Sequence, residues 1–157
     1  MFRELARKGQ ELEREACLAL LRQEKCGVLS VLGEGDYPYG MPMNHYLAED
    51  GKLYFHCGKS GHRLDALRAH DKVSFCVMDA GERPEGKWAR VVNSVIVFGK
   101  IEIIEDMETV VAITTALSHK FTDDTAYIQR ELDSAAHKTL LLCLTPEHIC
   151  GKRVVEE

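Results

Sequence analysis

The chain has 157 residues, of which 45% are hydrophobic and 29% are charged. This is the length of one ordinary domain, with enough apolar side chains for a single core, which excludes a disordered tail, a collagen and a small disulfide-stabilised protein. The 25 acidic and 20 basic residues give a formal net charge of −5, which argues against a protein whose main partner is a nucleic acid.

The N-terminal segment gives no indication of export or membrane insertion. It is polar and amphipathic rather than a basic stretch followed by an apolar core, so we expect no signal peptide. No apolar run reaches the roughly 18 to 20 residues of a membrane span. We therefore expect a soluble cytoplasmic protein with no membrane partner and with free thiols at its six cysteines. Cys17, Cys76 and Cys143 lie among apolar neighbours and are predicted to be buried.

One amphipathic helix is predicted first, followed by a series of strands. Apolar residues recur at helical spacing from about Gln10 to Lys25, and Gly27 follows as a stop signal. Short runs rich in Val, Leu, Tyr and Phe then predict strands at GVLSVLG, PYGMPMNHYLA, GKLYFHC and DKVSFCVMD. The Asp-Gly pair in EDGK, residues 49–52, predicts a tight two-residue turn between antiparallel strands.

The second half of the sequence predicts one long strand, two helices and a final strand. RVVNSVIVFGKIEIIED is the long strand, with a bulge or a close backbone approach at Gly99. Residues 107–119 and 125–136 are the predicted helices, and KTLLLCLTP is the last strand. This order favours a mainly β, α+β fold in one domain over residues 1–157, with residues 1–9 as an N-terminal extension: an antiparallel, closed or partly closed barrel with peripheral helices.

The densest polar cluster is FHCGKSGHRLDAL, residues 55–67. It leaves a strand at His56 and enters a short helix for which Ser60 is the predicted N-cap. A helix N-terminus offers free backbone N–H groups and a partial positive charge. Three cationic side chains surround the same position: Lys59, His62 and Arg63. The cluster fits a phosphate-binding site, and it equally fits a capped helix with solvated surface cations.

A second cluster is YGMPMNHY, residues 39–46. Pro42 lacks a backbone N–H, so it cannot complete a ladder between two strands and belongs at a sheet edge or a bulge. A planar ring lying against such an edge could use the free backbone groups, although an ordinary edge strand or bulge is by itself the better explanation of the proline. There is no GxGxxG after an early strand and no GxxxxGK[ST], which excludes the Rossmann and P-loop nucleotide sites.

The order of four motifs resembles a known family. MPMNHY, LYFHCGKSGHRLDAL, KVSFCV and NSVIVFGKIEIIED follow one another as in the pyridoxamine 5′-phosphate oxidase-like flavoproteins, and especially the small branch that includes the nitroimidazole-resistance proteins. The resemblance spans residues 10–155. It implies an antiparallel split β-barrel, the FMN-binding split-barrel fold, and a homodimer with flavin mononucleotide (FMN) held in a cleft at the subunit interface.

The resemblance also implies which residues bind the cofactor. The segment Met41–Asn44 would follow the flavin ring with its main chain, and the segment His56–Arg63 would hold the ribityl phosphate. The implied cofactor-binding residues are Met41, Pro42, Met43, Asn44, His56, Cys57, Lys59, Ser60, His62, Arg63, Asn93, Ser94 and Val95. Family members often carry an aromatic residue where this chain has Asn93.

Three further side chains have open roles. His56 matches a histidine near the flavin in the nitroimidazole-resistance branch and is the candidate catalytic residue, as a proton donor or a substrate contact; a strand histidine bonded to a neighbour is the alternative. His45 is expected to be peripheral. Trp88 lies in a loop that either covers the site or packs elsewhere. The histidine spacing predicts no metal site, and Ser60 lacks the GxSxG motif of a hydrolase.

The implied function is an FMN-dependent oxidoreductase that passes electrons from a nicotinamide nucleotide to a small acceptor such as a nitro compound or a quinone. A flavin- or haem-binding carrier or sensor without turnover is the alternative, because no catalytic acid or base is unmistakable in the sequence. A pyridoxamine 5′-phosphate oxidase proper is less favoured, since only Gly151-Lys152-Arg153 resembles its C-terminal substrate arginines.

Overall fold

The computed structural model describes residues 2–156. Within that range the strands are β1 (Glu11–Leu12), β2 (Cys26–Leu32), β3 (Pro38–Asn44), β4 (Tyr46–Leu47), β5 (Leu53–Gly58), β6 (Lys72–Met78), β7 (Arg90–Ile104) and β8 (Thr139–Glu156). The α-helices are α1 (Arg14–Gln23), α2 (His62–Ala69), α3 (Met107–Ser118) and α4 (Thr125–Ala135), and short 3-10 turns lie at Lys8–Gln10, Glu34–Asp36 and Ala136–Lys138.

All the strands join one curled antiparallel sheet. Its order is β3-β2-β6-β7-β8-β5-β4, with β1 pairing on β8. In the described residues β3 pairs only with β2 and β4 only with β5, so the sheet curls into a barrel that is open between two edges. The predicted split β-barrel with peripheral helices is confirmed.

The strand alternation separates an inward face from an outward face. In β6, Val73, Phe75 and Val77 are buried inside the barrel, and the intervening side chains point outward. Apolar side chains of α1 and α2 join the same interior cluster, among them Leu21 and Leu64. A continuous core therefore fills the barrel, and burial of these side chains is the main stabilising term of the fold.

Part of the outward face is also covered. Val110 of α3 packs on Tyr54, Leu141 and Cys143, which project outward from β5 and β8. Lys120, in the connection between α3 and α4, donates hydrogen bonds to the Glu24 and His45 carbonyls at 2.7 and 2.9 Å. The late helices thus form a cover over one side of the barrel.

Two local predictions were wrong in detail. The first helix begins at Arg14 rather than near Gln10, because Glu11–Leu12 form a short strand on β8. The hairpin between β4 and β5 is antiparallel as expected, but its turn is a three-residue one. The Ala48 N–H donates to the Lys52 carbonyl at 3.0 Å, and Gly51 has φ 81°, the left-handed conformation that closes such a turn.

The prediction at Gly99 is confirmed. The register between β7 and β8 shifts between Phe98 and Gly99, and a Cβ on Gly99 would lie 2.1 Å from the Thr145 carbonyl oxygen. The last strand was predicted to end near Pro146, yet β8 continues to Glu156. Pro146 lies opposite Gly99, next to the irregularity in the pairing. A proline is tolerated there because the ladder does not need its backbone N–H.

The structure bears on the expected state of the cysteines and on the expected absence of a membrane span. All six cysteines are unpaired in the described part of the chain. Cys17 and Cys143 are buried as predicted, whereas Cys76 is only half-buried because it points outward from β6. None of the helices within residues 2–156 combines the length and the apolar character that crossing a membrane requires.

Candidate functional site

The predicted phosphate cluster forms the turn from β5 into α2. Gly61 is the N-cap, at φ 121° and ψ 167°, and no side chain caps the helix. The prediction that Ser60 caps it was therefore wrong: the glycine adopts a conformation that L side chains avoid, so that the helix begins one residue later, at His62. The Leu64 N–H bonds back to the Gly61 carbonyl at 3.0 Å, whereas the N–H groups of the first helical residues have no such intrahelical partner.

Arg63 bridges the two sides of the open barrel. Its Nε donates to Met41 Sδ on β3 at 3.1 Å, and its positive charge tends to lower the pKa of the Cys57 thiol on β5. The side chain is half-buried, yet within residues 2–156 no carboxylate lies within 4.0 Å of it, since the ion pairs there are Lys8–Glu4 and Arg68–Asp65. A partly buried guanidinium without a counter-ion is a strong anion attractor.

His62 is held against the β2–β3 hairpin. Its ring stacks on Tyr39, with ring centroids 4.6 Å apart and an angle of 11°, and its Nε2 accepts from the Glu34 N–H at 3.4 Å. This contact leaves Nδ1 as the nitrogen available to a ligand. Tyr39, Cys57, Arg63 and the Gly58–Gly61 turn line a depression of about 280 Å³, which we call the cradle. Lys59 and Ser60 are exposed at its turn.

The segment Met41–Asn44 is an edge strand, as Pro42 predicted. Met41 and Met43 point into the barrel and are buried, whereas Pro42 and Asn44 point outward and are exposed. Because β3 pairs with β2 alone, alternate backbone N–H and C=O groups on its other side are free. A ligand beside β3 would therefore meet main-chain groups together with Pro42 and Asn44, and not the methionine side chains.

His56 and Cys57 point to opposite faces of β5. Cys57 is buried inside the barrel, and burial raises the pKa of its thiol. His56 points outward and retains access to solvent. Surrounding protein removes part of its hydration and the Arg63 charge repels a second proton, so the pKa of the imidazole is lowered. His56 is thus a neutral ring near pH 7, able both to donate and to accept one hydrogen bond.

One chain does not bring Asn93, Ser94 and Val95 to the cradle. They lie on β7, which β8 separates from β5, and Asn93 pairs with Arg153 whereas His56 pairs with Leu141. Val95 is buried in the barrel. The Asn93 Nδ2 donates to Asp79 Oδ2 at 2.7 Å, while its Oδ1 is buried without a partner in the described residues. Ser94 lies on the outward face.

His45 is not peripheral, contrary to the expectation from the sequence. Its side chain is fully buried, with Nε2 2.7 Å from the Leu21 carbonyl and the ring edge against Phe75. Burial, followed by the charge of Lys120, lowers the pKa of His45 to about 4. The residue therefore belongs to the core beneath the end of α1. Trp88, by contrast, is 88% exposed, with the Arg83 guanidinium 5.7 Å from its ring.

Sequence reasoning missed a second cavity beside His56. Together with Asn44, His56 faces side chains of α3 and α4 across a space of about 290 Å³, which we call the helical pocket. The helices that form its walls were predicted, but nothing local in their sequences indicates that they pack over β5. Tyr39 was also missed, although it belongs to the quoted motif YGMPMNHY.

Comparison with known proteins identifies the family of this chain. A protein-family model described as pyridoxamine 5′-phosphate oxidase matches residues 13–153. The chain belongs to the pyridoxamine 5′-phosphate oxidase family. The resemblance predicted from the four motifs is therefore confirmed. A sequence comparison with curated proteins finds no match.

Solved structures share the fold of this pyridoxamine 5′-phosphate oxidase family member. A Bacteroides thetaiotaomicron protein assigned to 5-nitroimidazole antibiotic resistance has a TM-score of 0.78 and 19% identity, with 94% of this chain and 90% of that chain covered. Protein Rv2991 of Mycobacterium tuberculosis has a TM-score of 0.80 and 15% identity, with 96% and 90% covered. A Mycobacterium smegmatis protein that binds FAD and haem has a TM-score of 0.74 and 20% identity, with 91% and 72% covered.

Proposed function

We propose that the protein is an FMN-dependent oxidoreductase that passes electrons from a nicotinamide nucleotide to a small acceptor, such as a nitro compound or a quinone. The observation that carries the proposal is Arg63, a half-buried cation with no carboxylate partner in the described residues, at the start of a helix and beside a free strand edge. Family membership and two structural neighbours described as FAD-binding proteins support the flavin part of the proposal.

The cradle fits the phosphate of FMN. The backbone N–H groups at the start of α2 and the side chains of Arg63 and Ser60 would hold it, with His62 contributing Nδ1 and Lys59 adding charge at the rim. Gly61 leaves open space, since a Cβ there would meet nothing within 4 Å. Because the whole chain has a net charge of −5, a local cluster of cations is better evidence for an anion site than it would be in a basic protein.

The free edge of β3 fits the polar rim of the flavin ring. A flavin presents both donors and acceptors on its pyrimidine side, and an edge strand offers both from its main chain. Pro42 and Asn44 would contact the ring from the outward face, and His56 would approach it from β5. When bound, FMN supplies the two-electron redox chemistry, and the chain supplies position and charge.

We propose that the site is completed by a second copy of the chain. On the outward face, five residues in register across five strands form an apolar row: Pro42, Val28, Cys76, Ile96 and Cys150. Val28 is 41% exposed and Ile96 36%, and neighbouring Met78 is 59% exposed. An apolar face of this kind is typical of a subunit interface. A second chain seated on this row would lie next to Asn44 and Ser94, which are two residues from Pro42 and Ile96 along their strands.

His56 is the candidate for proton transfer or substrate contact. Its lowered pKa keeps the ring neutral at pH 7, so it can donate a hydrogen bond to an acceptor oxygen without carrying a positive charge. A cytoplasmic location, where nicotinamide nucleotides are abundant, belongs to this proposal as well.

The absorption spectrum of the purified protein tests cofactor binding. Flavin bands, in the protein as isolated or after FMN is added, are the expected result, and mass spectrometry of the released cofactor separates FMN from FAD. A colourless protein that gains no flavin bands with FMN would overturn the proposal. Turnover is tested by mixing the loaded protein anaerobically with NADH and NADPH, with bleaching faster than that of free FMN as the expected result.

A second candidate is a flavin- or haem-binding carrier or sensor without turnover. The observation in its favour is the neutral, outward-facing His56, since a neutral imidazole is also a haem ligand. Bleaching no faster than that of free FMN, or a Soret band that disappears in His56→Ala, would favour it. Pyridoxamine 5′-phosphate oxidation is the weakest candidate, because only Gly151-Lys152-Arg153 resembles that enzyme's C-terminal substrate arginines.

A further inference from the structure

The helical pocket has the size and the walls of a small-molecule site. Its volume of about 290 Å³ lies just below the range of about 300 to 1,000 Å³ that is typical of ligand sites, so it suits a small molecule. Leu117, Ile128 and Leu132 are buried along its walls, and Phe121 and Tyr127 stand half-exposed at its rim. An apolar cavity with aromatic side chains at its opening favours a ligand with an apolar body.

Several polar groups in the helical pocket have unused hydrogen-bonding capacity. Thr114 Oγ1 is shielded from solvent and has no partner in the described residues. His56 and Asn44 enter from the strands, and neither side chain takes part in a hydrogen bond within residues 2–156. His56 and Asn44 keep contact with solvent, so their free donors and acceptors are accessible to a molecule that enters the pocket. A ligand with a polar head group could hydrogen-bond them.

The charge of the lining selects among ligands. The described lining residues include one carboxylate, Glu131, and no lysine or arginine. Glu131 forms no ion pair within residues 2–156. The helical pocket therefore disfavours anions and favours neutral or cationic molecules, whereas the cradle, which Arg63 lines, favours an anion.

We propose that the helical pocket binds a small, mainly apolar organic molecule whose polar head group is cationic or neutral. The ligand's apolar body lies against Leu117, Ile128 and Leu132, and its head group reaches Glu131 or the free amide of Asn44. His56 lines this pocket, and the next residue along β5, Cys57, lines the cradle. That the bound molecule is the electron acceptor rests on the proposed function, whereas the binding itself does not.

The test uses three probes that share one aromatic body and differ in charge: phenethylamine, phenethyl alcohol and phenylacetate. The full chain, labelled at leucine methyl groups, is titrated with each probe, and NMR shifts of Leu117 and Leu132 are followed. We expect saturable shifts with phenethylamine and no saturation with phenylacetate. The affinity for phenethyl alcohol should be about two- to fivefold weaker than that for the amine, because the alcohol cannot form an exposed ion pair with Glu131. Binding of phenylacetate as tight as that of the amine, or no saturation with any probe, would overturn the proposal.

A pair of serine variants tests the location. In Ser118→Phe the new ring would occupy the helical pocket, so the shifts should disappear; Ser134→Phe lies outside the lining and should bind normally. Both serines donate to a helical carbonyl, Thr114 at 2.8 Å and Glu131 at 3.0 Å respectively, so the two variants lose a comparable local bond. Equal binding in the two variants would contradict the assignment.

A second pair tests the charge without disturbing the core. Glu131→Gln should remove the preference for the amine over the alcohol, and Asp133→Asn, which lies outside the lining, should keep it. An unchanged preference in Glu131→Gln would show that the carboxylate does not meet the ligand. FMN titration of Ser118→Phe keeps the two proposals separate: a variant that binds FMN but no amine supports the helical pocket, and a wild-type chain that binds amine but no FMN overturns only the proposed function.

Discussion

The outward face of the barrel differs sharply between its two sides. Over β5 and the first part of β8, α3 covers Tyr54, Leu141 and Cys143, and these side chains are buried. Over β2, β6 and the first part of β7, residues of the same chemical type stay exposed, with Val28 and Ile96 as examples. Apolar outward positions on a strand thus have two explanations, an intramolecular cover and an intermolecular partner, and only the position of the helices tells them apart.

The largest expected effect is on association. Ile96→Glu places a charge in the middle of the apolar row, where a partner chain would have to bury it, so we expect a dimer to become a monomer. Size-exclusion chromatography with light scattering measures the mass. Lys100→Glu, on the same strand but outside the row, should leave the dimer intact. A wild-type chain of 17.7 kDa at micromolar concentration would contradict the proposed interface.

The covered side should depend on packing within one chain. Leu141→Ala removes a fully buried side chain beneath α3, and we expect it to lower the free energy of unfolding by about 2 to 5 kcal/mol. Val28→Ala on the uncovered side should cost less than about 1 kcal/mol when both are measured by urea unfolding in the monomeric Ile96→Glu background. Similar losses at the two positions would mean that the two faces do not differ as described.

Acid should lower the free energy of unfolding through protonation of His45, which lies where the late helices contact the barrel. His45 supplies one of the two carbonyls that Lys120 binds, and the pKa of its imidazole is lowered to about 4. Because the unfolded chain takes up this proton near the ordinary pKa of about 6.5, stability should be complete above that pH and fall between about 6.5 and 4, by at most about 3 kcal/mol. His45→Gln should flatten this part of the pH profile of unfolding, and exposed His137→Gln should leave it unchanged. An unaltered slope in His45→Gln would show that protonation of His45 does not cause the loss of stability in acid.

Smaller effects are expected at the cradle, where the two sides of the barrel meet. Arg63→Ala should weaken FMN binding by about 1.5 to 3 kcal/mol, or about 10- to 150-fold, the scale of a charge-assisted hydrogen bond. Lys59→Ala should weaken it less, because exposed charges contribute little. Fluorescence titration gives both affinities, and circular dichroism checks the fold. Unchanged affinity in Arg63→Ala would argue against its contact with phosphate.

Local patterns predicted much of this fold because most of its strands alternate between apolar and polar residues and are separated by turn residues. Pro42 indicated an edge strand, Gly99 a bulge, and the motif order the family, since each depends on the chemistry of a few adjacent residues. The N-cap at Ser60 was wrong because a glycine one position later could take a backbone conformation closed to serine. The end of the last strand was misplaced because Pro146 is acceptable only opposite the irregularity at Gly99, a residue distant in sequence.

The sequence by itself determined the family, the antiparallel strands and the cluster of cations at residues 59–63. Only the tertiary structure decided that Arg63 reaches Met41 across the open side of the barrel, that His45 is buried under α1, and that α3 and α4 enclose a pocket beside His56. The physical reason is that strand period and turn chemistry are local properties. Burial and pKa depend on which distant segments pack together, and that choice is made by the whole core.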